Sequence, residues 1–225
     1  MPLLIRSQSD MTAADSPSGS RTRTPRPSDL QRSTATRQRI LTATVASLAR
    51  HGLAGTSTVQ IQADAGVSRG GLLHQYGSRE QLLVAAVQHL ASERFAALRA
   101  QPIELEGAAR VRRALELLWS THDSDLFWAA MQTWLGARSD PQLQEVLRLH
   151  ERQLGHVARG LCDDVFGEEL IRHEAYSDLR ETLITSMRGV ALTYAFDPRP
   201  AMTDPHLDAW FRLSCRTLGI AETSD

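Results

Sequence analysis

Between Ala65 and Glu80 the chain reads AGVSRGGLLHQYGSRE, a stretch that sets groups able to grip a polyanion beside two adjacent glycines. Arg69 carries the fork of donors that pairs bidentately with guanine, and Gln75 offers the donor and acceptor that match adenine. His74, Arg79 and the free backbone N–H groups at Ser78 suit phosphate oxygens. Glycine inside a helix costs about 1 kcal/mol relative to alanine, so Gly70 and Gly71 call for a reason. A helix backbone that must lie against the wall of a DNA groove supplies one.

Those residues need two short helices to present them, and the punctuation for both is present. Ser57-Thr58-Val59-Gln60 reads as a capping box opening a helix that Gly66 ends, with Val67 buried beneath the turn. Ser68 caps a second helix from about Arg69 to Tyr76, in which Leu72 faces inward and Tyr76 packs between helices. Ser78-Arg79-Glu80-Gln81 is a further capping box, opening a long helix with Leu82, Leu83, Ala86, Val87 and Leu90 on one side. Two helices of one to two turns joined by Ala-Gly-Val-Ser have the layout of a helix-turn-helix. Ahead of them a helix from Thr36 to His51-Gly52 carries Ile40, Leu41, Thr44, Val45, Leu48 and Ala49 as one stripe.

Charge is divided along the chain in the same sense. The 225 residues have a formal net charge of -1, yet residues 1–79 hold ten Arg against four Asp and the remainder holds an acidic excess. A basic end on a neutral chain points to nucleic acid. Residues 1–35, dense in Ser, Thr, Pro and Arg, are expected to be a disordered tail, whose Arg21, Arg23, Arg26 and Arg32 either add non-specific attraction to phosphate or belong to an inert segment. The apolar run at the N-terminus is too short for a secretory signal, and no segment approaches the roughly 20 apolar residues of a membrane span. Two distant cysteines, Cys162 and Cys215, form no framework, so a cytoplasmic protein is expected.

The spaced set Thr36, Arg37, Ile40, Leu41, Gly52, Ile61, Ala65-Gly66-Val67-Ser68, Gly70, Leu72, Tyr76, Ser78, Glu80 and Leu82 resembles the DNA-binding domain of the TetR family of bacterial transcription regulators. Three positions depart from the family pattern. Gln62 replaces a small Ala, Leu73 replaces a Tyr that reaches phosphate, and Arg79 replaces Lys. The expected DNA contacts are Thr36, Arg37, Ser57, Ser68 and Arg69, then Gly70, Gly71, Leu73, His74, Gln75 and Arg79, with Leu73 touching a thymine methyl in place of the lost hydroxyl. Expected domains are a tail (1–35), a helix-turn-helix domain (36–82) and a larger helical domain (83–225), an all-α protein throughout.

The rest of the chain also reads as helical: about 106–120, 124–137, 141–165, 174–196 and 205–218. Asp140-Pro141 and Asp204-Pro205 each place a capping acid before a proline at the first helical position. Helix 124–137 is apolar nearly all round and should be central. The resemblance implies that this part binds a small molecule and pairs two subunits. Candidate pocket walls are Trp119, Phe127, Met131, Trp134 and Met187, with plain core as the alternative, and His150 is either a polar anchor of the pocket or a satisfied core histidine. The candidate dimer contacts are Leu179, Leu183, Met187, Val190 and Tyr194, together with Leu207, Trp210, Phe211 and Leu218, arranged as a four-helix bundle.

The expected partners are thus an operator duplex, a second copy of the chain and a partly apolar small molecule, without a membrane. No cofactor, metal or catalytic site is implied. The tempting pair His150 and His156 stands six apart, on different helix faces, whereas a helical zinc pair needs a spacing of four. The function expected is that of a ligand-responsive regulator, most often a repressor in this family; an activator, or a helical DNA-binding dimer without a ligand, are the alternatives.

Overall fold

The computed structural model describes residues 27–197, 199 and 203–222, with side chains from residue 31 onward. Ten α-helices and no strand are found among them: α1 Pro27–Gly55, α2 Thr58–Ala65, α3 Arg69–Tyr76, α4 Arg79–Arg99, α5 Gly107–Ser120, α6 Asp125–Ala137, α7 Pro141–Phe166, α8 Glu168–Ile171, α9 Tyr176–Thr193 and α10 Pro205–Thr217. The expected all-α architecture, a helix-turn-helix unit followed by a larger helical part, is what the chain adopts.

The caps show why the helices start where they do. Ser57, Ser68, Ser78 and Ser124 each accept a hydrogen bond from the backbone N–H three residues on, and Asp140 and Asp204 cap the two helices that open with proline. Only half of the first capping box forms, because the Gln60 amide donates to Asp64 Oδ1 at 2.8 Å. Gly66 closes α2 in the left-handed region (φ 64°), where N–H groups of Gly66 and Val67 bond the carbonyls of Ala63 and Gln62. That is a Schellman motif, and a residue bearing a Cβ would strain it.

Helix α1 corrects the expected boundary of the tail. It begins at Pro27, so residues 27–35, including Arg32, are helical. A proline at the first position starts a helix well, and once the amphipathic core from Ile40 on is helical each added residue costs little. Arg21, Arg23 and Arg26 lie outside the described residues. The other end agrees with expectation: the helix breaks at Gly52 (φ 65°) before a last turn to Gly55.

Two large cores form, with a small third cluster of Val84, Ala137 and Leu143, and α6 contributes to all three. The N-terminal core gathers Ile40, Leu41, Val45, Leu48, Ile61, Ala65, Leu72, Tyr76, Leu82 and Leu83, together with Ala129 of α6. The C-terminal core holds Val111, Leu115, Leu118, Leu161, Phe166, Leu183 and Trp210, together with Phe127 and Met131 of α6. Helix α6 is thus central, as expected, although Leu135 on its outer face is 58% exposed. Its contact with α1 is close. A Cβ placed on Gly136 would overlap Leu53 Cδ2, and one on Gly52 would stand 3.4 Å from Gln132 Oε1.

Replacing Gly136 with alanine therefore overpacks the α1–α6 contact. Gly136→Ala is expected to lower stability by about 1–3 kcal/mol despite the better helix propensity of alanine. Urea denaturation checks it, and equal or raised stability would show that Leu53 yields freely.

Candidate nucleic-acid interface and internal cavity

Helices α2 and α3 form the expected helix-turn-helix. Leu72 and Tyr76 seat α3 on the core, and Val67 packs half-buried under the turn. The opposite face of α3 is open: Ser68, Arg69, Gly70, Gly71, His74 and Gln75 are all exposed. Gly70 has an ordinary helical φ and nothing within 4 Å of where a Cβ would stand. The fold itself therefore does not require glycine at this position. Gly71 is tighter, since a Cβ there would meet the Ser68 hydroxyl at 3.2 Å.

Other expected contacts lie around this face with differing freedom. Ser57 is exposed, with its hydroxyl capping α2. Thr36 is half-buried and accepts a hydrogen bond from Arg39 at 3.4 Å. Arg37 is exposed and stands close to Tyr76, whose hydroxyl is pushed up by burial while the nearby cation opposes that shift. Leu73 is half-buried against the N-terminal core, so most of its surface serves packing. Gln62 is also half-buried, with its Oε1 sealed from solvent and without a hydrogen-bond partner among the described residues.

Arg79 is the clear departure. Expected on phosphate, it turns inward: Nε donates to the carbonyl of Thr56 at 2.9 Å and Nη2 donates to the carbonyl of Leu53. Its third nitrogen, Nη1, faces Glu80 at 3.5 Å. The carbonyls it holds flank the end of α1, where the helix dipole favours a cation. The same turn is stitched from the other side, by Thr56 Oγ1 donating to the carbonyl of Gly52 at 2.8 Å and Ser47 donating to Thr56. Arg79 is thus a staple that fixes α4 to the turn between α1 and α2.

In the C-terminal part a cavity of about 120 Å³ lies among α4, α6, α7 and α9. Phe127, Met131 and Trp134 line it, as expected, along with Val87, Ala91, Phe95, Leu126 and Leu154. The other expected wall residues fall elsewhere. Trp119 lines a separate cavity of about 90 Å³ with His122, Trp128 and Tyr194. His150 borders a much smaller space on another side of Trp134. Met187 is sealed in the core at 1% exposure, which leaves it no free surface to offer a ligand.

Sequence reasoning missed the charged groups of the cavity among α4, α6, α7 and α9, which are Glu151, Arg188 and Arg94. Trp134 Nε1 donates to Glu151 Oε2 at 2.8 Å, and burial pushes that carboxyl upward. The Arg188 guanidinium lies over the Trp134 ring, 4.4 Å from its centroid. A signal for Arg188 existed, because Ile184, Arg188 and Ala191 share one side of α9 by three- and four-residue spacing. Next to this site His122 stacks on Trp119, and burial drives its pKa down to about 4.

The expected dimer contacts are mostly spent inside the chain. Leu179, Leu183, Met187, Leu207, Trp210, Phe211 and Leu218 are each at most 9% exposed, and only Val190 and Tyr194 are half-buried. The apolar stripes of α9 and α10 face the chain's own core, since α5 and α7 offer the nearer apolar surface. What these helices leave open is the other side: Thr182, Thr185, Gly189 and Leu192 on α9, Ala209 and Leu213 on α10.

This arrangement, an exposed α3 on a trihelical unit joined to a helical body with a partly open cavity, is that of a helix-turn-helix protein with a companion domain. Residues 40–86 match the model of the "Bacterial regulatory proteins, tetR family". It is 31% identical over 123 residues to the HTH-type transcriptional regulator BetI of Pectobacterium carotovorum, a match covering 52% of this chain and 63% of that one. BetI of Burkholderia mallei is 27% identical over 122 residues, with the same shares. The chain thus spans under two thirds of the length of these curated relatives. The fold is also similar to a transcriptional regulator from Saccharomonospora viridis solved in complex with choline (TM-score 0.58, 17% identity, 84% of this chain and 100% of that one). A TetR transcription regulator from Haloarcula marismortui is equally similar (TM-score 0.58, 16% identity, 84% and 100%).

The staple makes a distinguishing prediction. Arg79→Ala removes charge-assisted hydrogen bonds, each worth roughly 1.5–3 kcal/mol, and is expected to lower the thermal midpoint. The slope of log K against log salt for DNA should remain unchanged. A phosphate contact would instead lower that slope by about 1 without a stability loss.

Proposed function

We propose that this protein is a cytoplasmic transcriptional repressor that binds an approximately palindromic operator as a homodimer and is released by a small molecule. The observation that carries this reading is the open face of α3. Arg69 is exposed and makes no hydrogen bond or ion pair among the described residues, beside a Gly70 that the fold does not need. A bidentate guanine contact uses such a free guanidinium, and a close approach of backbone to DNA uses such a glycine.

The internal cavity supports the release step. Helix α4 begins at the Ser78 cap beneath α3 and continues to Val87, Ala91 and Phe95 on the cavity wall. Helix α6 touches the end of α1 with one side and lines the cavity with another. A ligand filling the cavity favours the arrangement of α4 and α6 that fits it, and the population of DNA-competent dimers falls. The Saccharomonospora viridis relative, solved with choline, supports a ligand-binding role for a fold of this kind. The dimer forms on the outer faces of α9 and α10, where Gly189 and Ala209 let helices approach and Leu192 and Leu213 supply apolar contact. Twofold pairing sets the two reading helices about 34–36 Å apart, one turn of DNA.

Fluorescence anisotropy on DNA from upstream of the protein's own gene, against a shuffled duplex across a salt series, tests the reading. Tight, sequence-selective binding is expected, and Arg69→Ala should weaken it roughly 5- to 150-fold, the worth of a bidentate base contact. Equal, steeply salt-dependent binding to both duplexes would overturn it. Gly70→Ala should stabilise the fold by up to about 1 kcal/mol and still weaken operator binding; undiminished affinity would show that no close approach occurs there. Leu192→Arg should shift the sedimentation coefficient from dimer to monomer, and a persistent dimer would place the interface elsewhere.

A further inference from the structure

We propose that the cavity among α4, α6, α7 and α9 binds a small monoanionic carboxylate, with Arg188 clamping the carboxylate and an apolar or aromatic end seated on Phe95, Phe127, Met131 and Leu154. This inference rests on the reading of that cavity as a ligand site.

The guanidinium of Arg188 carries the argument. It lines the cavity and is more than half withdrawn from solvent, so that burial lowers its pKa. It lies over the Trp134 ring at 4.4 Å, a contact that occupies one face and leaves the N–H edge free. Among the described residues no carboxylate or carbonyl oxygen accepts from it, and Glu151 acts on it only at longer range. A desolvated donor without an acceptor is unfavourable, because its lost hydration is not replaced. A carboxylate in the cavity would supply two parallel acceptors to that edge in the geometry a guanidinium fits best.

Charge and volume narrow the class. Arg188 and Arg94 line the space against the single carboxylate of Glu151, which already accepts from Trp134. The balance of one positive charge is neutralised by a monoanion, while a dianion would leave uncompensated charge between apolar walls. A quaternary ammonium ion is disfavoured, since it would add a cation to a lining of two arginines and one carboxylate, and Arg188 already covers the Trp134 face. The space, about 120 Å³ and partly open to solvent, seats one small ring or short chain, against the ~150 Å³ closed cavity that holds benzene, and leaves the carboxylate at its mouth. Benzoate, phenylacetate and hexanoate have the right scale.

Isothermal titration of the full chain, without DNA, with benzoate, phenylacetate and hexanoate, with the corresponding neutral amides, and with choline decides the matter. At least one carboxylate is expected to bind at one per chain and at least tenfold more tightly than its amide and than choline. Arg188→Gln should abolish that preference while leaving the amide affinity within about twofold. The ligand class is overturned if no carboxylate outdoes its amide, if choline binds more tightly, or if Arg188→Gln keeps the preference. The acid-to-amide ratio in the unmodified protein decides alone if the variant fails to fold. Operator release is read separately by anisotropy. A carboxylate that binds without releasing DNA upholds the ligand class and overturns the release mechanism, whereas release by compounds that are not carboxylates does the reverse.

Discussion

The organisation of this chain depends on one short helix being shared between two cores. Helix α6 gives Ala129 to the core that holds the reading unit and Phe127 and Met131 to the core of the larger part. At its end, the absence of a side chain at Gly136 lets Leu53 settle directly onto the helix backbone, while Gly52 lies against Gln132. Without that approach α1 would stand off from α6, and the two cores would be separate domains joined only through α4. With it, side chains packed at interior density couple the wall of the cavity to the end of the first helix, and such packing transmits displacement instead of absorbing it.

Arginine is the only basic side chain this protein uses besides histidine, and the structure puts it to three different uses. Arg69 stands free in solvent, Arg79 is consumed by backbone carbonyls, and Arg188 is laid on a tryptophan at the edge of a cavity. The planar, permanently charged fork serves all three environments, which the more strongly hydrated ammonium of lysine would do less well. The substitution of Arg for the Lys typical of the family at position 79 has a physical meaning in this light. A fork can hold the carbonyls of Leu53 and Thr56 together, as a single ammonium on a flexible stem cannot do so rigidly.

Nearly all of the local structure was legible in the sequence, because it is written in local chemistry. Serine and aspartate caps, the left-handed Gly66, prolines at first helical positions and three- and four-residue apolar spacing marked the start of most helices. What was not legible depends on which neighbour a face finds. The stripes of α9 and α10 are as apolar as an interface would need, yet they meet α5 and α7 first. The direction of Arg79 could not be seen from its position, since a cation at a helix start reads equally as a hand for phosphate or a cap for the preceding turn. Leu126, Phe127, Met131 and Trp134 announced a core; that it leaves a space, and that Glu151 and Arg188 face it, follows only from packing α4, α6, α7 and α9 together. The short helix Glu168–Ile171 had no periodicity to give it away.

Helix α4 has a mechanical character that its contacts alone do not convey. From its cap at Ser78 to Phe95 on the cavity wall the helix advances about 25 Å at 1.5 Å per residue. It is a lever gripped at the reading unit, where Arg79 clamps it to the turn before α2, with its far span packed on α6 and α7 beside the cavity. A tilt of about 5° over that length displaces the far end by ~2 Å, more than a bidentate hydrogen bond tolerates. Because the clamp fixes the angle between lever and reading unit, such a tilt is delivered as rigid rotation and is not lost in a flexing joint. Sensitivity to a ligand would then scale with helix length, and the stiffness of one arginine at the joint would set how faithfully the motion arrives.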